Sequence, residues 1–177
     1  MITVYKKFFL MISITILLCL SASLVWSETM DDLVMRDNLY YKKFTDVPFT
    51  GKVTGNGSSE WRKSFISKGS FKNGKKNGLW IRYYDNGQLW DKGTYINGKK
   101  EGYWIAYFDD GKLWYKGNMR NGNEDGFWIF YFSNGQLHYK GKYINFKKEG
   151  PWVSYLRDGS VIPSDTGTFK DGKKISD

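Results

Sequence analysis

Short apolar runs alternate with clusters of turn residues between residues 69 and 140, and no run follows the helical period. In the first unit the apolar stretch 79–84 precedes Asp85-Asn86-Gly87, and a second stretch at 88–95 precedes Asn97-Gly98. Apolar stretches that alternate with turn residues in this way are typical of antiparallel hairpins. The pattern predicts an all-β fold, an elongated antiparallel meander of repeated β-hairpins.

A repeated unit of 24 residues underlies this pattern. It occurs three times without a gap over residues 69–140 and a fourth time, more loosely, up to residue 166. A fixed period of this size indicates an array in which neighbouring units complete each other's core. We predict a repeat array over residues 69–177. Residues 28–68 are a lead-in with a degenerate repeat, in which a short strand near residues 39–44 caps the array.

The turn residues predict a register for each hairpin. Asn-Gly is a strong hairpin signal, because both central positions of a type I′ turn need positive φ. If Asn86-Gly87 is a two-residue loop, the cross-strand pairs are Trp80 with Gly93, Arg82 with Asp91, and Tyr84 with Leu89. The next hairpins then pair Trp104 with Gly117, Trp128 with Gly141, Phe108 with Leu113, and Phe132 with Leu137. Each indole is expected to lie over the glycine across its hairpin.

This register divides the side chains between two apolar faces. One carries Trp80, Tyr95, Trp104, Tyr115, Trp128, Phe130 and Trp152. The other carries Ile81, Tyr83, Trp90, Ile105, Tyr107, Ile129 and Tyr131, with a ladder of Lys92, Lys116 and Lys140. No amphipathic helix is available as cover, so the sheet is expected to coil on itself, pair with a second copy or bind a partner. The candidate binding residues are Trp80, Trp104, Trp128, Trp152, Tyr83, Tyr107, Tyr131 and Tyr155.

The first 27 residues have the pattern of a secretory signal peptide. Lys6 and Lys7 precede an apolar run over residues 8–20, and Ser27 is a suitable cleavage position. We expect export to the periplasm, the envelope or the medium, with cleavage before Glu28. An uncleaved anchor is the alternative. Cys19, the single cysteine, lies in this segment, so the mature chain would form no disulfide.

The chain is basic, with a net charge of +9, and removal of residues 1–27 leaves 25 basic against 18 acidic side chains, a net charge of +7. Paired lysines recur at one turn position of the unit and predict a basic edge. Its residues are Lys75, Lys76, Lys99, Lys100, Lys147, Lys148, Lys173 and Lys174. Such an edge could attract anionic lipid or an envelope surface, or it could simply keep the sheet edge soluble.

The sequence offers little for catalysis. His138 is the single histidine and replaces a tryptophan of the repeat, so it is interpreted as a strand residue. The acidic residues lie in hairpin turns, where aspartate favours turn geometry. No glycine pattern opens a helix to bind phosphate. We therefore expect no enzyme activity, no catalytic or metal site and no cofactor.

The recurring residues Gly78, Trp80, Tyr83, Asn86, Gly87, Leu89, Lys92, Gly93, Tyr95, Asn97, Gly98 and Gly102 resemble the variant MORN repeat of bacterial proteins. The resemblance covers about 100 residues. It implies a single twisted antiparallel sheet of hairpins and a scaffold or membrane-linked interaction module. Some bacterial variants are antitoxin components. The chain departs from the pattern at Phe146, which stands where the turn glycine is expected, at His138, and around Pro163.

We therefore expect a non-enzymatic exported repeat protein that acts as a protein or envelope interaction module. Two other functions stay open. One is an antitoxin or immunity-type protein that neutralises a toxin, and the other is a protein that binds or hydrolyses an envelope polymer. A protein partner is expected and an anionic lipid or envelope surface is the alternative. We expect no nucleic acid as a partner, and the oligomeric state stays open.

Overall fold

The computed structural model describes residues 27–59 and 62–177, so the predicted signal segment lies outside the described residues apart from Ser27. The main sheet contains β3 (Gly51–Ser59), β4 (Arg62–Lys72), β5 (Lys75–Lys76), β6 (Gly78–Tyr83), β7 (Leu89–Ile96), β8 (Lys99–Tyr107), β9 (Leu113–Arg120), β10 (Asn123–Tyr131), β11 (Leu137–Ile144), β12 (Lys147–Ser154), β13 (Gly167–Lys170) and β14 (Lys173–Ser176). A separate hairpin joins β1 (Leu33–Arg36) to β2 (Leu39–Lys42). Short 3₁₀ turns occupy Met30–Asp32 and Pro163–Asp165.

The strands from β3 to β14 lie side by side in chain order, and every pairing between them is antiparallel. Apart from β5, which pairs only with β4, each internal strand therefore pairs with the strands on either side of it in this order, and β6 pairs directly with β4. The predicted all-β meander of repeated hairpins is confirmed. β4 runs through residue 69, so the lead-in and the array share one continuous sheet.

The predicted register is confirmed at the centre of each hairpin. Trp80 pairs with Gly93 and Arg82 with Asp91. Trp104 pairs with Gly117 in the second hairpin and Trp128 with Gly141 in the third. Alternation along both strands thus specifies the pairing wherever the strands are regular.

The predicted type I′ turn at Asn86-Gly87 is wrong. The Tyr84 N–H donates to the Gln88 carbonyl at 2.8 Å and the Gly87 N–H to the Tyr84 carbonyl at 2.9 Å, which closes a three-residue loop. Gly87 alone among these loop residues has a positive φ, of 82°. Such a loop adds one residue to one strand as a bulge.

The bulge shifts the register beside the turn, and the predicted pairs there are wrong. Leu89 pairs with Tyr83 rather than with Tyr84. In the later hairpins the pairs are Tyr107 with Leu113 and Tyr131 with Leu137, rather than Phe108 with Leu113 and Phe132 with Leu137.

The type I′ geometry occurs at the opposite edge of the sheet, in the turns that join one hairpin to the next. Asn97 and Gly98 have φ values of 50° and 83° between the paired residues Ile96 and Lys99. The corresponding turns are Asn73-Gly74, Asn121-Gly122, Asn145-Phe146 and Asp171-Gly172. Backbone bonds join successive turns, since the Gly98 N–H donates to the Lys76 carbonyl at 2.8 Å and the Gly122 N–H to the Lys100 carbonyl at 2.9 Å.

Four tryptophans form the core on one face, here called the inner face. Trp80, Trp104, Trp128 and Trp152 are 1–3% exposed. Each ring lies over a glycine of the preceding strand, so that a Cβ atom at Gly117 would overlap the indole of Trp128. The expectation that the indole of Trp104 covers Gly117 is therefore wrong, although the two residues are paired.

A hydrogen bond to the preceding strand accompanies three of the four indoles, whereas Trp104 Nε1 is buried with no hydrogen-bond partner among the described residues. Trp128 Nε1 donates to the Asn118 carbonyl at 2.9 Å, and Trp152 Nε1 donates to the Lys142 carbonyl at 3.1 Å. Both carbonyls belong to the preceding strand. These rings lean over that strand, as the Trp104 ring leans over Gly93 without such a bond, and only glycine leaves room beneath them.

Trp90 also lies on the inner face, contrary to the prediction. Its ring centroid is 5.2 Å from that of Phe65, and the Arg82 guanidinium lies 4.0 Å from its centroid. Trp90 stands at the bulge, between Asp91 and Leu89, which pair with Arg82 and Tyr83. Because the bulge interrupts strict alternation, a period of two residues places this side chain on the wrong face.

The β1–β2 hairpin covers the first end of the core. Leu33 packs with Val53, Phe71 and Trp80, and the rings of Tyr40 and Phe71 lie 4.6 Å apart. The predicted capping strand near residues 39–44 corresponds to β2, although it ends at Lys42 and pairs with a strand that was not predicted. A terminal hairpin that covers an apolar end of the core is typical of repeat arrays.

Candidate interaction surface

The predicted binding residues fall on opposite faces of the sheet. The four tryptophans are buried, so they cannot serve as contact residues. Tyr83, Tyr107, Tyr131 and Tyr155 are half-buried. Tyr83 lies two residues from Ile81 and pairs with Leu89, which places it on the opposite, outer face. The structure thus separates the core aromatics from the residues that a partner could reach.

A single row of side chains crosses the outer face from strand to strand, and lysine alternates with a β-branched aliphatic residue along it. The successive Cα partners are Lys68, Ile81, Lys92, Ile105, Lys116, Ile129, Lys140 and Val153. We call this the Lys/Ile row. Lysines on every second strand recur about every 10 Å, since neighbouring strands lie about 4.8 Å apart.

The lysines of the Lys/Ile row have no acidic partner among the described side chains. Lys68 Nζ lies 5.5 Å from the centroid of Tyr83, on the same face. No acidic side chain stands in the row itself. The row is therefore positively charged along its whole length.

Exposed apolar side chains flank the Lys/Ile row at the same position of each unit. Leu79 is 57% exposed, Tyr103 54% and Phe127 72%, and Pro151 occupies the fourth unit. Sequence reasoning found Lys92, Lys116 and Lys140 but missed Lys68 and this apolar column. The apolar column could have been predicted from the sequence, because its four residues recur at a spacing of 24. A contiguous apolar surface rimmed by charge is typical of an interaction site.

The predicted basic edge splits into two sets. Lys75, Lys99, Lys147 and Lys173 are exposed along the turns. Three of their neighbours in sequence turn toward the inner face, where Lys76 Nζ lies 4.5 Å from the centroid of Trp80, Lys100 Nζ 4.3 Å from Trp104, and Lys148 Nζ 4.8 Å from Trp152. The fourth, Lys174, donates to the Pro163 carbonyl at 2.7 Å and forms an ion pair with Asp177. The prediction of one row of eight turn lysines is therefore wrong. Alternation along each strand sends adjacent lysines to opposite sides.

The inward lysines are partly desolvated. Burial lowers the pKa of Lys76 to about 8, with a smaller contribution of the same sign from Arg82. Burial also lowers the pKa of Lys100, while Asp91 opposes the shift. Their stems cover the indoles, and their ammonium groups lie over the ring faces as in cation–π contacts.

One buried ion pair distinguishes the first hairpin. Arg82 Nε donates to Asp91 Oδ1 at 2.7 Å, and a second nitrogen of the guanidinium contacts Asp91 Oδ2. Asp91 is 1% exposed. The equivalent pairs in the next two hairpins are Ala106 with Tyr115 and Phe130 with Tyr139. The ion pair thus takes the place of an apolar contact. The charge of the buried Asp91 carboxylate is balanced by the Arg82 guanidinium.

The acidic residues of the turns have structural roles. Glu101 Oε2 accepts a hydrogen bond from the Asn121 N–H at 2.8 Å, and Glu149 Oε2 accepts one from the Asp171 N–H at 3.1 Å. Asp110 Oδ1 accepts a hydrogen bond from the Lys112 N–H at 3.0 Å within its own turn. Carboxylates in this position stabilise turn backbone that would otherwise lack a partner.

His138 stacks on Phe132 with ring centroids 4.0 Å apart, and burial followed by the charge of Arg157 lowers its pKa. Within residues 27–59 and 62–177, no group of three or more histidine, cysteine or acidic side chains is placed to hold a metal ion. In the same part of the chain, no helix is long and apolar enough to cross a membrane.

Comparison with protein families identifies the repeat. Residues 76–97, 100–121 and 124–145 each match the family described as the MORN repeat variant. A search of curated proteins finds no match. The predicted resemblance is confirmed over three consecutive units. Repeats of this type are protein or membrane-lipid interaction modules and are non-catalytic in character.

Proposed function

Because the chain is a repeat protein of the MORN variant over residues 76–145, we propose that it is a non-enzymatic, exported module that binds a protein partner through its outer face. The Lys/Ile row carries this proposal. Its amines form no ion pair with any described carboxylate and its apolar neighbours are exposed, whereas the inner face is filled by its own tryptophans.

Charge and apolar surface together favour a partner with complementary groups. A purely apolar partner would desolvate the four lysines without pairing them, which costs free energy. A carboxylate next to each lysine would offset the cost of desolvation and would fix the register of the complex. We therefore propose a partner that presents carboxylates about 10 Å apart, the spacing of the lysines, with apolar side chains between them.

The test measures the affinity of one protein partner for the wild type and for matched variants. The protein is used as bait on its own cell-envelope fraction, the retained protein is identified by mass spectrometry, and its affinity for the wild type is measured with both proteins purified. Lys92→Glu/Lys116→Glu should weaken binding at least tenfold, about 1.4 kcal/mol. Lys43→Glu/Lys173→Glu carries the same change of charge away from the row and should bind like the wild type.

The apolar column provides a second arm. Tyr103→Ser/Phe127→Ser leaves every charge in place and should also weaken binding at least tenfold, because exposed aromatic side chains at the centre of a contact contribute strongly. Equal affinity of the row variant and its charge control would overturn the proposal. So would binding to anionic vesicles in the absence of any protein partner.

The same experiment addresses the two alternatives from the sequence. An antitoxin role is the case in which the retained partner is a toxin. A role in binding or hydrolysis of an envelope polymer receives no support from the geometry, because the tryptophans are buried and three cavities of 400, 400 and 440 Å³ have no acidic residue in their linings.

Export rests on the pattern of the first 27 residues. We propose that the signal is cleaved and that the native protein begins near Glu28. Intact-mass measurement of the native protein checks this, and a species that retains Met1 in the membrane fraction would favour the anchor instead.

A further inference from the structure

Three lysines of the Lys/Ile row stand on alternate strands, and the strand between each pair carries a group of three apolar side chains. Lys92, Lys116 and Lys140 belong to β7, β9 and β11. Ile105 on β8 and Ile129 on β10 pair with the lysines on both sides. The residues two before and two after each isoleucine project from the same face, because side chains alternate along a strand. The two apolar groups are Tyr103, Ile105 and Tyr107, and Phe127, Ile129 and Tyr131.

The outer face therefore alternates a central lysine with an apolar group that is about 13 Å wide along its strand. Tyr103 is 54% exposed and Phe127 72% exposed, so a partner can reach both groups. None of the three lysine amines forms an ion pair with a carboxylate of the described residues.

A depression of about 440 Å³ shows the same combination at the last lysine of the row. It lies between β10 and β12 on the outer face, and its lining includes Phe127, Ile129, Lys140, Pro151 and Val153. Ile129 and Val153 pair with Lys140 from opposite sides. A partner can thus place an apolar side chain in the depression and a carboxylate beside the same lysine.

The spacing of the lysines, about 10 Å on alternate strands, discriminates between the regular backbones that a partner could present. On an extended strand the side chains of one face recur about every 6.6 Å, so successive carboxylates miss successive lysines. On a polyproline II helix every third residue recurs at about 9.3 Å, but the two residues between them point away from the surface. On an α-helix, residues seven apart recur at about 10.5 Å, and the residues three and four further along lie on either side of that line, about halfway to the next. Of the three backbones, only the α-helix sets apolar side chains over β8 and β10 while its carboxylates meet the lysines.

We propose that the outer face binds an acidic amphipathic α-helix that lies along the Lys/Ile row and crosses the strands from β7 to β11. This inference rests on the proposed function of the outer face and names the form of its partner. Carboxylates seven residues apart pair with Lys92, Lys116 and Lys140, and the apolar residues between them contact the two apolar groups. A second copy of the chain does not fit this face, because its own row would oppose lysine to lysine.

Twist of the sheet limits the length of the contact. Neighbouring strands are rotated by about 20 to 25°, so successive lysines of the row differ in direction by about 40 to 50°. A straight helix can follow this rotation only as far as the long lysine side chains can reach sideways. The contact is therefore limited to about three lysines, which corresponds to a helix of about 18 residues.

The test uses two synthetic peptides of this length. The first has glutamates seven residues apart, with leucines three and four residues after each. The control has the same composition with glutamates five residues apart, which distributes them around the helix. Fluorescence anisotropy measures the affinity of each peptide for the purified native protein, and circular dichroism measures helix content. The first peptide should bind at least tenfold more tightly than the control and should gain helix content on binding.

A charge exchange tests the position of the helix. Lys116→Glu should weaken binding of the first peptide at least tenfold, and a lysine in place of the central glutamate of the peptide should restore binding to that variant. The same replacement at a terminal glutamate should not restore it. Lys173→Glu is the matched control away from the row and should bind the first peptide like the wild type.

Equal affinity for the two peptides, binding without a gain in helix content, or no binding at millimolar peptide would overturn the helical partner. So would failure of the central exchange to restore binding. If these results are negative while the protein captured from the envelope still depends on Lys92 and Lys116, the outer face remains the binding surface and only the helix is wrong. If the captured protein ignores both lysines, the proposed function itself fails.

Discussion

Gly117 shows how tightly single residues are constrained in this sheet. It pairs with Trp104 on one side and with Trp128 on the other, and the indole of Trp128 occupies the space above its Cα. The constraint is close approach rather than backbone conformation, because Gly117 does not have a positive φ.

Gly117→Ala should therefore lower the free energy of unfolding by about 1 to 3 kcal/mol, the range for overpacking. The added methyl group must displace the Trp128 ring and weaken its hydrogen bond to the Asn118 carbonyl. Lys116→Ala, at the adjacent position, is the control and should change stability by less than about 0.5 kcal/mol. Urea unfolding measures both, and equal midpoints would contradict the assigned contact.

Lys76 makes stability depend on pH in an unusual direction. Its pKa is lowered from 10.5 to about 8 in the folded state. Between those values the unfolded chain holds a proton that the folded chain has lost, so the free energy of unfolding rises with pH. Arg82 and Lys100 add to the shift, and Asp91 opposes it.

The wild type should gain about 2 kcal/mol of stability from Lys76 between pH 7 and pH 9.5, because one pKa unit corresponds to about 1.4 kcal/mol. Lys76→Met should lose this part of the slope and keep the smaller part due to Lys100. Lys75→Met, on an exposed neighbour, should retain the wild-type slope. Denaturant titrations at several pH values below 9.5 measure the effect, and identical slopes in all three proteins would refute it.

At the scale of elements, two kinds of turn alternate along the chain. The turn within each hairpin is a three-residue loop with one left-handed residue, as at Gly87, and the turn between successive hairpins is type I′, with two left-handed residues. Most type I′ turns end in glycine, but Phe146 occupies this position with a φ of 67°. The Phe146 side chain is 55% exposed, so its few packing contacts do little to offset the backbone strain.

Phe146→Gly should stabilise the protein by about 0.5 to 1 kcal/mol, because relief of left-handed strain exceeds the added entropy of the unfolded glycine. Gly122→Phe makes the opposite change in the equivalent turn and should destabilise by a similar amount or more. Thermal unfolding of both variants checks the pair. A lower midpoint for Phe146→Gly would show that the phenylalanine contributes contacts beyond its turn.

At the scale of the whole molecule, backbone pairing joins each strand only to the strands beside it in the sheet, and the side-chain contacts that reach further, such as Phe65 with Trp90, stay local, so stability is largely a sum of local contributions along the sheet. The first end depends on the β1–β2 hairpin, in which Leu33 packs with Val53, Phe71 and Trp80. The last end depends on β13, which pairs with β12, and on β14, which pairs with β13.

Leu33→Ala should cost about 2 to 4 kcal/mol at the first end, as expected for a buried leucine. Because the contacts between strands are local, hydrogen exchange should accelerate in β3, β4 and β6, and it should stay unchanged in the distant strands β10, β11 and β12. Ile175→Ala, on an exposed side chain of β14, is the control and should alter neither region. Uniform acceleration along the sheet would mean that the array unfolds as one unit.

Local pattern was sufficient for much of this architecture. The 24-residue period predicted the array, and alternation predicted the pairs Trp80–Gly93 and Arg82–Asp91. It failed where a bulge breaks the period of two, which moved Trp90 to the inner face and Leu89 opposite Tyr83. The turn type was also misassigned, because Asn-Gly fits a three-residue loop as well as a two-residue one.

The sequence alone determined the repeat, the meander, the regular part of the register and the positions of the lysines, since all of these follow from chemistry repeated at a fixed local spacing. The tertiary structure decided which glycine each indole covers, because each ring packs against the preceding strand rather than against its partner across the hairpin. It also decided that Lys76, Lys100 and Lys148 turn inward and that Tyr40 and Lys76 line one cavity. Those contacts join residues that are distant along the chain, and no local period records them.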